Sequence, residues 1–284
     1  MNALAATGGA IVAGVAGRPI AHSLSPILHR AWIDAAVLDA VYAPFSPQEH
    51  RFAAFVEGLR GGVIRGLNVT LPFKEAALAA ADEASPLARA AGSANLLLFH
   101  RDGRIEARNT DGEGLLYAFA RQAPGFDLAR LPVAILGAGG AARGAVATLA
   151  EAGVFDIRVV NRTKSRAEAL VDRFQDVQAF GLEQLEPALN GAGAIINATS
   201  VEIADGGLDV DFSGVARGAV AMDMLYRPLQ TRFLAQAQAQ GLRTVDGLDM
   251  LIGQAMPSFE AFFEVKPPMN VDARALLLNA MAAP

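Results

Sequence analysis

The sequence predicts an α/β fold of two domains with mixed, mostly parallel sheets, and three observations predict it. Short apolar runs alternate with helix-length amphipathic stretches almost from end to end: "AIVAGVAG", "AVYAPF" and "VIRGLNV" early, then "VAILGAG", "IRVVNR", "AGAIINAT" and "AVAMDM". Such runs are strands buried on both faces by crossover helices. The length of 284 residues is enough for about two domains, each with its own core. A composition break at "RQAPGFDLARLP", residues 121 to 132, separates them, because Pro124, Gly125 and Pro132 interrupt a helix just before a fresh strand.

In chain order, the opening "MNALAATGGAIVAGVAGRPI" is apolar, but it has no basic residue before Arg18 and is interrupted by Gly8, Gly9 and Gly14. It reads as a short tail and a buried strand rather than a signal peptide. Residues 1–112 form the expected first domain and 113–245 the second. From "DGLDMLIGQAMPSFEAFFEV" onward two helices remain with no strand to pair with, so residues 246–284 are expected to pack back on the first domain. No run reaches membrane-spanning length. The hydrophobic share of 52% and net charge of -5 describe a soluble globular protein and give no basis for a nucleic-acid or anionic-membrane partner, which leaves small molecules. No cysteine is present, which excludes disulfides and thiolate metal sites. His22, His29, His50 and His100 lack metal-ligand spacing, so no metal is expected, and a reducing cytoplasm fits.

The strand "VAILGAG" runs directly into "GAARGAVATLAEAG", placing Gly137, Gly139 and Ala142 in a G-x-G-x-x-A turn between a strand and its helix. Glycine lets the backbone turn tightly and approach a pyrophosphate, while the helix N-terminus offers unpaired N–H groups. Alone the triplet is equally a glycine-rich turn with no ligand. The next strand, "IRVVNRTKSR", ends where a dinucleotide fold recognises the ribose. An NAD site wants a carboxylate there, whereas this chain has Asn161, Arg162, Thr163, Lys164 and Arg166, a cluster that attracts a 2′-phosphate. The coincidence of turn and basic loop points to NADP.

In the first domain, "GLNVTLPFK" puts Lys74 in the first turn of a helix, where a cation opposes the macrodipole. Violations of this kind tend to sit at functional sites. Asn68 and Thr70, two apart on an extended segment, share a side and flank whatever Lys74 approaches. In "IAHSLSPILH", Ser25 before Pro26 reads equally well as an N-cap, an explanation that Ser23 lacks. In "RNTDGEGLL", Thr110 and Glu113 form a T-x-x-E capping box, so Asp111 is either an acid favoured in a first turn or the carboxylate with which Lys74 exchanges protons.

Together these stretches resemble the shikimate dehydrogenase family, NADP-dependent enzymes that reduce 3-dehydroshikimate to shikimate in aromatic amino-acid biosynthesis. The resemblance covers nearly the whole chain in the family's order: "GRPIAHSLSPILH", "GLNVTLPFK", "SANLL", "NTDGEG", "GAGGAARG", "NRTKSR", "INATS", "DMLYRPLQT" and "GLDMLIGQA". It implies a substrate domain beside a Rossmann-type NADP-binding domain, with the chain a monomer or a homodimer. It implies Lys74 and Asp111 as the catalytic pair, and Ser23, Ser25, Asn68, Thr70, Asn95 and Gln254 as binders of the substrate's hydroxyls and carboxylate, with Tyr226 and Thr199 along a cleft between domains. Gly137, Ala138, Gly139, Gly140, Ala141, Asn161, Arg162, Thr163 and Arg166 would hold NADP, with Met224 beside it. Three departures stand out: Leu96-Leu97 where the family reads Thr-Leu, Val201 and Glu202 where it has a glycine-containing turn, and Asp249 where glycine is common. Two other readings stay open, a quinate/shikimate dehydrogenase with relaxed substrate or NAD preference and a non-catalytic nucleotide-sensing protein on the same scaffold.

Overall fold

A computed structural model describes residues 6–199 and 209–282; Val201 and Glu202 lie outside the described residues. The chain forms two compact units, Met1–Thr110 with Gln254–Pro284, and Asp111–Gly253.

The first unit carries a six-stranded mixed sheet of β1 (Ile11–Ala16), β2 (Ala40–Phe45), β3 (Ile64–Val69), β4 (Glu83–Ala84), β5 (Leu96–Phe99) and β6 (Ile105–Arg108), in the order β2-β1-β3-β5-β6-β4. β1 pairs parallel to β2 and β3, each reached through a helical crossover. β5 runs antiparallel to both β3 and β6. The β5–β6 reversal follows from chain length: only "HRDGR" separates the two strands, and Gly103 takes φ 89° in that turn. One face of the sheet, with Leu67, Leu97, Ile105 and Ala107, packs on Phe52, Phe73 and Ala77 from α2 (Phe52–Glu57) and the start of α3 (Lys74–Ala79). Phe52 and Phe73 stack with centroids 4.4 Å apart.

Against β2 lies α1 (Ser25–Ala35), whose buried residues Leu28, His29, Trp32 and Ile33 recur at helical spacing. Its ring pair His29–Tyr42 is stacked at 3.9 Å, and Trp32 meets Phe259 of α10 (Gly247–Phe263) edge-on at 5.4 Å. His29 is fully buried, and neither ring nitrogen has a hydrogen-bond partner among the described residues. Burial therefore lowers its pKa from 6.5 to about 3. Below pH 6.5 the unfolded chain takes up a proton that the folded chain refuses, so stability present above that pH is lost as pH falls toward 3. Between pH 7 and pH 5 this one group removes about 2 kcal/mol. Urea unfolding at the two pH values should show that much less acid sensitivity in His29→Phe than in the parent chain; equal sensitivity would mean the imidazole is solvated.

The second unit holds β7 (Val133–Leu136), β8 (Ile157–Asn161), β9 (Val177–Gly181), β10 (Ala194–Asn197), β11 (Val220–Asp223) and β12 (Arg243–Val245), all parallel, in the order β12-β11-β10-β7-β8-β9. This is the doubly wound order, with its reversal point between β7 and β10. Alternation along β7 sends Val133 and Ile135 into one core and Ala134 and Leu136 into the other, so both faces are covered and the strand reads as continuously apolar. The unit's end falls inside α10 rather than at the expected break after residue 245. Gln122, the last residue of α5 (Asp111–Gln122), accepts from the Asp246 N–H and donates to Asp249 Oδ2 at 2.8 Å, which ties the first turns of α10 to α5.

Candidate active site

In the first unit the strand directions gather the polar candidates at one edge of the sheet. β3 ends at Asn68 and Val69, and antiparallel β5 begins beside it, so the Val69 N–H donates to the Asn95 carbonyl at 2.8 Å. Thr70 follows, its N–H donating to the Ala16 carbonyl at the end of β1 at 2.9 Å. The Ala94 N–H donates to the Lys74 carbonyl at 2.9 Å, which seats the lysine's turn against the residue preceding Asn95. Asn95 is buried and donates from Nδ2 to Thr110 Oγ1 at 3.0 Å and to Gln254 Oε1 at 3.3 Å. Asn68, Thr70, Lys74, Asn95 and Gln254 thus belong to one hydrogen-bonded edge. Lys74 opens α3, half-buried, with Phe73 before it and no side-chain cap.

Two local expectations are corrected here. Ser25 is not the N-cap of α1. The helix has no side-chain cap, Leu24 occupies that position with helical backbone angles, and Ser23 Oγ accepts from the Ser25 N–H at 3.3 Å. Ser23 therefore has the structural role, and the buried Ser25 is the serine left without one. The T-x-x-E capping box also does not form. The Thr110 N–H donates to Asn95 Oδ1 at 2.8 Å and its hydroxyl to the Gln254 carbonyl at 2.9 Å, bonds that serve the polar edge and leave Glu113 aside. Burial raises the Glu113 carboxyl, and the charge of Asp111 in the same first turn adds to the rise.

In the second unit the parallel strands bring the cofactor candidates to their common carboxyl edge. Leu136 pairs with Val160 and with Asn197, and Asn197 with Asp223, so Gly137, Asn161, Ala198 and Met224 follow side by side, with Thr199 one residue further along. Gly137 holds φ 108°, and a Cβ there would press on the Ala198 carbonyl at 3.1 Å, so only glycine fits. Gly139 precedes α6 (Gly140–Glu151) with extended backbone, no side-chain cap and open space where its Cβ would stand. Ala138, Gly140 and Ala141 complete the turn. These features fit a pyrophosphate: Gly139 offers no side-chain acceptor to the helix's first N–H groups, and among the described residues nothing fills the approach at Gly139. At the end of β8, Asn161 Nδ2 donates to the Thr163 carbonyl at 2.8 Å and shapes the loop before α7 (Lys164–Val171). Arg162 and Arg166 are exposed with no acidic partner among the described residues, while Lys164 lies 4.0 Å from Glu168.

A buried network that the sequence reading passed over supports this edge. Asp223, fully buried, accepts from Asn197 Nδ2 at 2.9 Å, from the Thr231 hydroxyl at 2.8 Å and from the Leu225 N–H at 3.0 Å. Asn197 Oδ1 in turn accepts the Thr199 hydroxyl at 2.7 Å. The carboxylate thereby fixes both the Thr199 turn and the segment carrying Met224 and Tyr226. The only sequence signal was polarity at the end of two apolar strands. Asp249, the departure from glycine, is 2% exposed and bonded to Gln122, which gives it a structural reason to be an acid in a helix's first turn. Leu96 is buried, on the same sheet face as its register partner Asn68.

Residues 15–97 match the model of the shikimate dehydrogenase substrate binding domain, and residues 119–204 that of shikimate / quinate 5-dehydrogenase. The shikimate dehydrogenase (NADP(+)) of Caulobacter vibrioides is 57% identical over 279 residues, 98% of each chain. Among solved structures, shikimate 5-dehydrogenase from Thermus thermophilus in complex with NADP(H) and shikimate superposes with a TM-score of 0.84 at 35% identity, covering 95% of this chain and 99% of that one. Quinate dehydrogenase from Corynebacterium glutamicum in complex with NAD gives a TM-score of 0.85 at 27% identity, covering 95% and 99%. With the polar edge, the glycine turn and the basic loop all in place, this chain belongs to the shikimate dehydrogenase family.

Proposed function

We propose that this chain catalyses the NADP-dependent, reversible reduction of 3-dehydroshikimate to shikimate, a step of aromatic amino-acid biosynthesis, and does so in the cytoplasm as a monomer or homodimer. The observation that carries the reading is the joining of Asn68, Asn95 and Gln254 into one polar edge from which Lys74 starts its helix. A hydroxylated, carboxylated ring needs several fixed donors and acceptors, and Ser23, Ser25 and Thr70 add hydroxyls to that set. Bound NADPH supplies the hydride to the ketone carbon. Lys74 hydrogen-bonds the ketone oxygen and delivers a proton as charge develops there, and Asp111 takes part in the lysine's proton exchange. Arg162 and Arg166 hold the 2′-phosphate, and the Gly137–Gly139 turn receives the pyrophosphate with Thr199 and Met224 beside it. Following the nicotinamide absorbance band with shikimate and NADP tests this directly. Binding of NADP without turnover would instead make the chain a nucleotide-sensing protein.

Quinate is the competing substrate, and the similarity to a quinate dehydrogenase makes the comparison worth measuring. Quinate carries a hydroxyl on a tetrahedral C1 where shikimate has a planar double bond. Ser23 and Ser25 are the hydroxyls assigned to the carboxylate end, and none of the site's residues is assigned to the extra group. Leaving a buried hydroxyl unpaired costs about 1–3 kcal/mol. The expected kcat/KM favours shikimate by at least about tenfold; comparable values would move the protein to the quinate/shikimate reading.

A further inference from the structure

Tyr42 belongs to no motif above and at first sight is a core aromatic, 8% exposed and stacked on His29. Its hydroxyl, however, lies 2.8 Å from Asn68 Oδ1. Which end of the Asn68 amide is nitrogen is settled by its other neighbours. The second end is 3.3 Å from the Asn95 carbonyl oxygen, which can only accept, so that end is Nδ2. The same Nδ2 is 2.7 Å from Ser258 Oγ, whose own proton goes to the Gln254 carbonyl at 3.2 Å, leaving that oxygen to accept. Both amide protons are therefore spent on the protein. Oδ1 carries no proton, so Tyr42 donates to it. What Asn68 has left is one lone pair on Oδ1.

We propose that Tyr42 is a positioning residue for the substrate: by donating to Oδ1 it locks the Asn68 amide so that a group reaching Asn68 must be a donor, a ring hydroxyl and not the ketone or the carboxylate. The inference rests on the assignment of Asn68 to substrate binding. His29 contributes by packing: its unprotonated ring lies flat against Tyr42, with Phe262 tilted toward both, and holds the phenol's direction. Without the Tyr42 proton the Nδ2 bonds to the Asn95 carbonyl and Ser258 still set which end of the amide accepts, but Oδ1 loses the donor that fixes its direction, and a substrate hydroxyl would meet a less precisely placed acceptor.

Tyr42→Phe tests this, because phenylalanine fills the same space and keeps the stack on His29. The expected result is a shikimate KM raised about tenfold, the loss typical of a buried hydrogen bond, with kcat within about threefold and the NADP KM unchanged. The same substitution made in an Asn68→Ala background should add no further loss, since Tyr42 acts only through Asn68. A purely structural role would lower the melting temperature without splitting KM from kcat, and would add its loss in both backgrounds. If Asn68→Ala raises the shikimate KM and Tyr42→Phe leaves it within twofold, the positioning role is overturned and the site assignment survives. If Asn68→Ala itself leaves shikimate binding unchanged, the site assignment fails and the inference falls with it.

Discussion

Lys74→Ala is expected to lower kcat by about 10²-fold or more, as the loss of acid–base catalysis commonly does, with far less change in KM. The asymmetry is diagnostic. Charge on the ketone oxygen appears only as the hydride arrives, so the ammonium stabilises the transition state more than it stabilises bound substrate. The backbone carbonyl that accepts the Ala94 N–H is kept in the variant, so it is expected to fold while turnover collapses. Steady-state kinetics alongside a thermal melt checks both halves, and a Lys74→Ala enzyme with near-normal kcat would remove the lysine from the chemistry.

Arg162→Ala is expected to weaken NADP far more than NAD. A charge-assisted contact to a phosphate is worth roughly 1.5–3 kcal/mol, which is about 10- to 150-fold in affinity, and NAD lacks the group that makes it. Arg162 is exposed and has no carboxylate among the described residues to compete for it, so its charge is available to a ligand. The effect should shrink as salt is raised, because the contact is solvent-accessible. Apparent KM for each cofactor at low and high salt is the measurement. Equal losses for the two cofactors would reduce the basic loop to ordinary surface charge.

Period and punctuation made the strands legible. β7, β10 and β11 read as apolar runs because both faces of the sheet are covered there, and the glycine turn announces itself because only glycine accepts the backbone at residue 137. Local capping was misread twice, at Ser25 and at Thr110, for one reason. A hydroxyl near a helix start has a default partner within its own turn, and both defaults lost to partners elsewhere: Ser23 supplies the acceptor before α1, and Asn95 and the Gln254 carbonyl claim Thr110. The Asp223 network was invisible because its members are 26 and 8 residues apart and no spacing rule links strand ends to a later helix cap. Tyr42 was hidden differently: it packs as a core ring, and the role proposed for it lies in one proton whose direction only the neighbouring carbonyl reveals.

The interrupted first unit has a consequence for the order in which the protein can mature. Asn68 and its acceptor Ser258 are separated by 190 positions. At synthesis rates of about 5–20 residues per second, roughly 10–40 s pass between the emergence of one and of the other. Throughout that interval the asparagine has Tyr42 and the Asn95 carbonyl but not the serine that takes its best amide proton. The second unit, one uninterrupted stretch from 111 to 253, has all its residues before Ser258 exists. The amide proposed to read the substrate is therefore among the last groups of the first unit to be held in place.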